Sequence, residues 1–186
     1  MKKITILTPM YNEQENIPHF YDQVNDVIKS LDSKYTFEFL FINDGSTDYS
    51  LEEVIKLQLL DTRVKYVDLS RNYGKEIAML AGMDYAKGDA VIIMDSDLQH
   101  PPEVIPKMIH EWENGFHDVY GKRVTRHGEG FIKKRFQISI IVFSECFLRN
   151  PFYLTLVILD YWIAYVLTAL YASENLNVTQ KDYTCG

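Results

Sequence analysis

The sequence is poor in cysteine and has no excess of basic charge. Only Cys146 and Cys185 occur among 186 residues, without metal-ligand spacing, which excludes a disulfide scaffold or a zinc module. The 19 basic residues are outnumbered by 26 acidic ones. Non-specific nucleic-acid binders present a basic surface, so we expect no nucleic-acid partner. The first apolar run, residues 4–8, is too short for a signal-peptide core and predicts a strand instead.

Charged residues are scarce in the last quarter of the chain. Residues 138–186 hold six of the 45 charges, and residues 1–137 hold the other 39. We therefore predict two regions, a domain over 1–137 and a hydrophobic helical tail over 138–186. Within the tail, residues 152–172 are long enough to span a bilayer. A hairpin at the membrane interface or a buried core helix are the alternatives, since Asp160 near the middle would cost about 2.5–3.5 kcal/mol.

Short apolar runs alternate with helical patterns in the first region. Strands are predicted at 4–8, 37–43, 64–69, 90–94 and 118–120. Helices are predicted at 15–31, at 74–86 and after Pro101 and Pro102. A further helix is predicted to end near residue 60, with Ser46, Thr47 and Asp48 as candidate capping residues at its start. In the first helix, apolar residues recur every three or four positions and form one buried stripe. This alternation predicts an α/β fold, a mainly parallel sheet with helices on both faces.

Polar clusters follow the first four predicted strands. They occupy residues 9–13, 43–46, 70–72 and 95–97. In parallel α/β sheets the ligand site lies beyond the carboxyl ends of the strands. The four clusters therefore predict one site at a single edge of the sheet.

The carboxylates of this edge suit a divalent cation and a diphosphate. Asp95 and Asp97 could hold a cation whose remaining positions are filled by phosphate oxygens and water, with Gln99 and His100 as further polar groups. Asp-Ser-Asp before Pro-Pro is equally good turn chemistry. Asp44 could accept a hydrogen bond from a nucleobase or ribose, or could belong to a turn.

Other charged residues near these clusters allow two interpretations. Several cations could balance phosphate charge or form an ordinary solvated surface: Arg71, Lys75, Lys122, Arg123 and Arg126. Glu13 and Glu15 could be explained by the dipole of the first helix alone.

Four segments, in this order and spacing, resemble the family 2 glycosyltransferases, which have the Rossmann-like GT-A fold. They are residues 9–13 with Asn16, residues 43–48, residues 71–75 and residues 95–103. The resemblance is nearest to the polyprenyl-phosphate branch, which includes dolichol-phosphate mannose synthases and bactoprenol glucosyltransferases. It covers about residues 3–137, after which the chain looks truncated or divergent on the acceptor side.

The resemblance implies roles for individual residues. It implies a nucleotide-binding pocket formed by Pro9, Tyr11, Asn12, Glu13, Asp44, Lys75 and Asp95. It implies Mg2+ or Mn2+ held by Asp95, Asp97 and Gln99. Asp97 and Arg123 would be the catalytic residues, since segment 121–123 resembles the place where the family has a basic residue near the phosphates.

The resemblance also implies an activity, the transfer of a hexose from a UDP- or GDP-sugar to a polyprenyl phosphate with inversion. Because the lipid phosphate is already an anion, positioning and charge stabilisation suffice and no strong base is required. One alternative is a catalytically inactive, membrane-associated nucleotide-binding module. A nucleotidyltransferase is a third interpretation, which the lack of a glycine-rich loop after the first strand disfavours.

The apolar tail predicts a location. Exposed as a helix in water it would be strongly unfavourable, so it must enter a membrane, pack on the domain or pair with another copy in a homo-oligomer. The basic residues 133–135 before it suit anionic lipid headgroups. We therefore predict the cytoplasmic face of the cell membrane, with attachment through residues 138–172 and membrane lipid as a partner.

Overall fold

Strands and helices alternate along the described part of the chain. The computed structural model describes residues 1–99, 101–116, 118–120 and 139–142, all within one unit, Met1–Val142. The strands are β1 Lys2–Met10, β2 Tyr35–Asn43, β3 Val64–Asp68, β4 Ala90–Ile93, β5 Asp118–Tyr120 and β6 Ser139–Val142. The helices are α1 Asn16–Lys29, α2 Ser50–Leu60, α3 Lys75–Tyr85 and α4 Ile105–Glu113, and a 3-10 turn, Pro102–Val104, precedes α4.

The strands form one six-stranded sheet in the order β3-β2-β1-β4-β6-β5. β1 pairs in parallel with β2 and β4, and β2 pairs in parallel with β3. β6 runs antiparallel to both β4 and β5. The predicted mainly parallel sheet is confirmed. The chain order reverses between β1 and β4, and in open α/β sheets such a switch point is where ligands bind.

Strand β6 was not predicted. Residues 139–142 were predicted to belong to the apolar helical tail, whereas they pair with β4 from Ala90↔Val142 to Ile93↔Ser139. A short apolar run is compatible with either a strand or a buried helix, so periodicity alone could not separate them. The drop in charge after residue 137 therefore does not mark the end of the sheet.

Most of the predicted tail, residues 143–186, lies outside the described residues. Its helical character and the division into two domains stay predictions. Among the residues that the structure describes, no helix is long and apolar enough to cross a membrane.

Helices cover both faces of the sheet, as predicted. The stripe of α1 is buried at Ile17, Phe20, Val24 and Ile28, and it packs with Ile4 and Ile6 of β1 in a core that also includes residues of α2 and α4. Successive strand residues point to opposite faces, so Leu7 faces the other side. There α3 approaches closely, since a Cβ on Gly82 would lie only 2.6 Å from Leu7 Cδ1. The described part of the chain thus has α1, α2 and α4 on one face and α3 on the other.

A buried carboxylate stabilises the amino-terminal edge of the sheet. Glu38, 6% exposed, accepts hydrogen bonds from Thr5 Oγ1 at 2.7 Å and from the Lys87 amide at 3.0 Å. Its second oxygen is bonded to the Lys3 ammonium. Burial alone would raise the pKa of Glu38, but these donors hold it below its usual value. The network joins β1, β2 and the turn before β4.

A second carboxylate network lies at the turn between α2 and β3. The Arg63 guanidinium contacts Asp61 at 2.7 Å and Asn25 at 2.6 Å, and the Tyr21 hydroxyl donates to Asp61 at 2.7 Å. Burial opposes ionisation, yet the bonds from Arg63 and Tyr21 lower the pKa of Asp61 to about 2. Burial and the bond to Asp61 raise the pKa of Tyr21 to about 12.

Candidate functional site

The loop after β1 is fixed by the loop after β2. Asn12 has a φ of 57°, a left-handed conformation that asparagine tolerates better than most residues. Its amide donates to Ser46 Oγ at 3.0 Å, and its Oδ1 accepts from the Thr47 amide at 2.8 Å. Beside it, the Tyr11 side chain is 45% exposed and Pro9 is buried within β1. The geometry leaves the Tyr11 ring available to a ligand.

The Glu13 carboxylate lies at the start of α1. Its Oε2 accepts from Asn16 Nδ2 at 2.6 Å, and the Glu13 amide donates to Ser50 Oγ at 2.7 Å. The carboxylate is therefore held beside the first residue of α1, and its explanation by the helix dipole stays a prediction. Its predicted part in a nucleotide pocket stays a prediction.

Ser50 and Asp48 connect the same two loops, a role that the sequence analysis missed. Asp48 Oδ1 accepts from the Ser50 amide at 3.0 Å and from Ser50 Oγ at 2.5 Å, while Oδ2 accepts from the Gln14 amide at 3.3 Å. Burial opposes ionisation, but these bonds lower the pKa of Asp48. We predicted capping by residues 46–48. The dense run of Ser, Thr and Asp in this segment was the feature of the sequence that could have indicated these bonds between the two loops.

Asp44 joins the end of β2 to the loop between β3 and α3. Its carboxylate is buried, with Oδ1 accepting from the Tyr73 amide at 2.7 Å and Oδ2 from the Gly74 amide at 2.9 Å. The two loops touch at Gly45, which has a φ of 65° and where a Cβ would lie 2.4 Å from the Arg71 carbonyl carbon. A carboxylate has about four acceptor positions, so two remain for a ligand. The contacts that Asp44 makes within the protein therefore fix the position of the loop of residues 69–74.

An exposed aromatic group stands on that loop. The Arg71 guanidinium lies 4.8 Å from the centre of the Tyr73 ring, and Ser70 Oγ is 3.1 Å from the Tyr73 hydroxyl. The hydrogen bond with Ser70 and the neighbouring Arg71 charge lower the pKa of Tyr73. A cation and an aromatic face are therefore presented together beside the strand ends.

Lys75 joins α3 to the end of β4. Its ammonium lies 2.7 Å from both carboxylate oxygens of Asp95, and Asp97 Oδ1 accepts from the Gln99 amide at 3.1 Å. Asp95, Asp97 and Gln99 offer only oxygen donors, which fits Mg2+ or Mn2+. Within the described residues no three His, Cys, Asp or Glu side chains are grouped to hold a metal. A cation at this place would need further oxygens, such as those of a phosphate and water.

Some of the predicted site residues are in direct contact at one edge of the sheet, and others are not. Direct contacts join the ends of neighbouring elements: Asn12 with Ser46 and Thr47, Asp44 with Tyr73 and Gly74, and Lys75 with Asp95. Arg123 and His100 lie outside the described residues, and their roles stay predictions. Asn43 was predicted only as a member of the polar cluster 43–46, without a role of its own. Its Oδ1 accepts from the Ser46 amide and its Nδ2 donates to Asp68.

Comparison with known families decides the classification. Residues 5–171 match the family model of glycosyl transferase family 2. The chain belongs to glycosyl transferase family 2. The predicted family is therefore confirmed, and the matched range of this family 2 chain extends past residue 137, where the predicted resemblance ended.

Curated relatives support the same classification. The family 2 chain is 46% identical over 131 residues to an uncharacterized glycosyltransferase from Bacillus subtilis, covering 70% of this chain and 40% of the relative. It is 42% identical over 133 residues to a bactoprenol glucosyl transferase of a Shigella phage, covering 72% of this chain and 43% of the relative. The chain thus spans about two fifths of the length of these relatives.

Solved structures support the fold. A mannosyltransferase from Pyrobaculum calidifontis, in complex with GDP-Man and Mn2+, superposes with a TM-score of 0.55 at 21% identity, covering 67% of this chain and 36% of that one. A glucosyl-3-phosphoglycerate synthase from Mycobacterium tuberculosis, with Mn2+ and UDP-glucose, gives 0.50 at 20% identity, covering 63% and 42%. The GT-A-like α/β fold of the family 2 chain is confirmed.

Proposed function

We propose that this chain binds a nucleoside diphosphate sugar at the carboxyl edge of its sheet and belongs to an enzyme that transfers the hexose to a polyprenyl phosphate. The observation that supports this most directly is the Lys75–Asp95 contact beside Asp97, in a family 2 chain. It brings one cation and one carboxylate together at the sheet's switch point, two residues before Asp97 in the chain. Relatives named bactoprenol glucosyl transferase support the choice of acceptor.

Each group at this edge has a chemical task in the proposal. The exposed Tyr11 ring would contact the nucleoside, and Asp44, fixed against the loop of residues 69–74, would contribute its free acceptor positions. Asp95, Asp97 and Gln99 would hold Mg2+ or Mn2+, which supplies positive charge against the leaving diphosphate. Lys75 would add a second positive charge on the same side.

The transfer step needs little from the protein beyond placement. An oxygen of the lipid phosphate attacks the anomeric carbon and forms the new C–O bond. The bond from that carbon to the diphosphate oxygen breaks, and the diphosphate leaves with the electron pair, which inverts the anomeric configuration. The nucleophile is already ionised, so no side chain has to remove a proton.

Nucleotide binding by the full chain tests the proposal. Calorimetry with UDP and with GDP, with and without Mn2+, is expected to find metal-dependent binding of at least one of them. Asp97→Asn removes the charge that attracts a hard cation and should weaken this binding roughly tenfold or more, about 1.4 kcal/mol, without unfolding the protein. Asp26→Asn is the control, because Asp26 forms an exposed ion pair with Lys29 on α1. Absence of metal-dependent binding, or equal effects of the two variants, would refute the proposal.

The acceptor needs a separate experiment. Membranes from cells that express the full chain are supplied with radiolabelled UDP-glucose or GDP-mannose, and label is measured in the lipid extract. We expect lipid-linked label that disappears with Asp97→Ala. Nucleotide binding without any label in lipid would instead identify a nucleotide-binding module without transferase activity.

A further inference from the structure

Lys75 occupies an unusual place for a cation. It is the first residue of α3, where the helix dipole opposes a positive charge. Its side chain is 47% exposed and could extend into water, yet the ammonium lies 2.7 Å from the carboxylate of Asp95. The attraction to Asp95 therefore determines the position of the ammonium.

The backbone at Lys75 is fixed from the other side. The preceding residue, Gly74, has a φ of 96° and donates its amide to Asp44 at 2.9 Å. Asp44 also accepts from Tyr73, so the start of α3 is held against the end of β2. The backbone of Lys75 is thus held in a defined position, and only its side chain can change partner.

The ammonium and a divalent cation need the same oxygens. Lys75 Nζ is 2.7 Å from Oδ1 and 2.7 Å from Oδ2 of Asp95, so both oxygens are engaged. A Mg2+ ion bonded to either oxygen would sit about 2.0–2.1 Å from it, close to the ammonium. Like charges at such separation repel each other strongly.

We propose that Lys75 competes with the divalent cation for Asp95 in the nucleotide-free protein, and that the ammonium moves to the diphosphate when the nucleotide binds. The movement of the ammonium to the diphosphate rests on the proposed function, whereas the competition with the metal does not. Once the diphosphate attracts Lys75, Asp95 is released to the metal. Metal and nucleotide then strengthen each other's binding by the same factor, as linkage requires.

Manganese binding to the full chain without nucleotide is the first test. Free Mn2+ is followed by electron paramagnetic resonance during titration of the wild type, Lys75→Met, Lys75→Arg and Lys29→Met. Lys75→Met should bind Mn2+ about three- to tenfold more tightly, because an ion pair and a repelling charge are both removed. Lys75→Arg keeps the charge and should bind no more tightly than the wild type. Lys29→Met, which removes an equally short surface ion pair on α1, should have no effect. Equal or weaker Mn2+ binding by Lys75→Met overturns the proposal.

The same titrations with saturating UDP or GDP test the exchange of partners. Nucleotide should raise the Mn2+ affinity of the wild type by a larger factor than that of Lys75→Met, whose Asp95 is already free. An equal rise in Mn2+ affinity in both proteins would overturn the proposed exchange of partners by Lys75. If neither nucleotide binds to any variant, the proposed function fails, while the nucleotide-free titration still decides whether Lys75 competes with the metal.

Discussion

Glu38 at the amino-terminal edge of the sheet and Asp95 at the carboxyl-terminal edge are both carboxylates paired with a lysine, but their surroundings differ. The Glu38 side chain is 8% exposed and has three donors, from Lys3, Thr5 and the Lys87 amide. The Asp95 side chain is 26% exposed, and its lysine partner is 47% exposed. The first carboxylate is enclosed by the fold, whereas the second is partly exposed together with its lysine partner.

The difference shows that pairing with a lysine does not by itself distinguish an enclosed carboxylate from an accessible one. A buried charge with satisfied acceptors stabilises the fold only as long as every donor stays in place. An exposed pair contributes little to stability and is correspondingly easy to rearrange. Separate measurements of stability and of nucleotide affinity should therefore separate the two edges.

The largest expected effect is on stability, at the amino-terminal edge. Glu38→Ala leaves the Lys3 ammonium, the Thr5 hydroxyl and the Lys87 amide without their acceptor, and should lower the free energy of unfolding by about 3–5 kcal/mol. Urea unfolding measures it. Glu53→Ala, which removes a surface pair with Lys56, should cost about 0.2–1 kcal/mol. The nucleotide affinity of folded Glu38→Ala should be unchanged. A lower affinity would show that the two edges of the sheet do not act separately.

A smaller effect on stability, joined to a loss of binding, is expected at the carboxyl-terminal edge. Gly45→Ala places a Cβ 2.4 Å from the Arg71 carbonyl carbon at a φ of 65°, and should cost about 3 kcal/mol by forcing the two loops apart. Gly115→Ala is the matched control, since Gly115 also has a positive φ, 96°, but no atom within 4 Å of the added Cβ. It should cost about 1 kcal/mol. Calorimetry should find weakened nucleotide binding in Gly45→Ala alone; unchanged binding would show that the loop contact does not shape the site.

The smallest expected effect is a pH dependence at the amino-terminal edge. The pKa of Asp61 is lowered to about 2, so its stabilisation is complete above the unfolded value near 3.9 and is lost as the pH falls towards 2. This loss amounts to about 2 kcal/mol. Urea unfolding between about pH 5 and pH 2.5 should therefore give a steeper decline for the wild type than for Asp61→Asn. Parallel declines would contradict the assigned network.

The general fold followed from the sequence, and so did the edge of the sheet at which the polar clusters meet. The α1 stripe has clear helical periodicity, and β1 to β4 are short apolar runs between helical patterns. The polar clusters after these strands were expected to meet because parallel strands end at one edge. The structure extends β1 to Lys2–Met10 and β2 to Tyr35–Asn43, beyond the predicted 4–8 and 37–43. Strand ends are the least predictable part, since pairing with a neighbour rather than local composition determines them.

The partners of the carboxylates could not be predicted. Glu38 lies between Phe37 and Phe39, so the sequence suggested only an aromatic strand. Asp44 bonds to amides 29 and 30 residues away, and Lys75 to a carboxylate 20 residues away. Such contacts depend on how loops meet in space, which residue spacing does not encode. The same limit hid β6, whose partner residues in β4 lie 46 to 52 positions earlier in the chain.

The pairing of β4 with β6 also has a consequence for the time course of synthesis. After β4 has been made, one of its edges has no neighbour until Ser139–Val142 has been added, because β6 is the strand that pairs there. At about 5–20 residues per second, the interval of roughly 49 residues lasts about 2.5–10 s. Throughout that interval the nascent chain presents an unpaired, apolar strand edge, the feature that recruits other strands and leads to aggregation. Co-translational protection by a chaperone would therefore matter most while residues 94–142 are being translated.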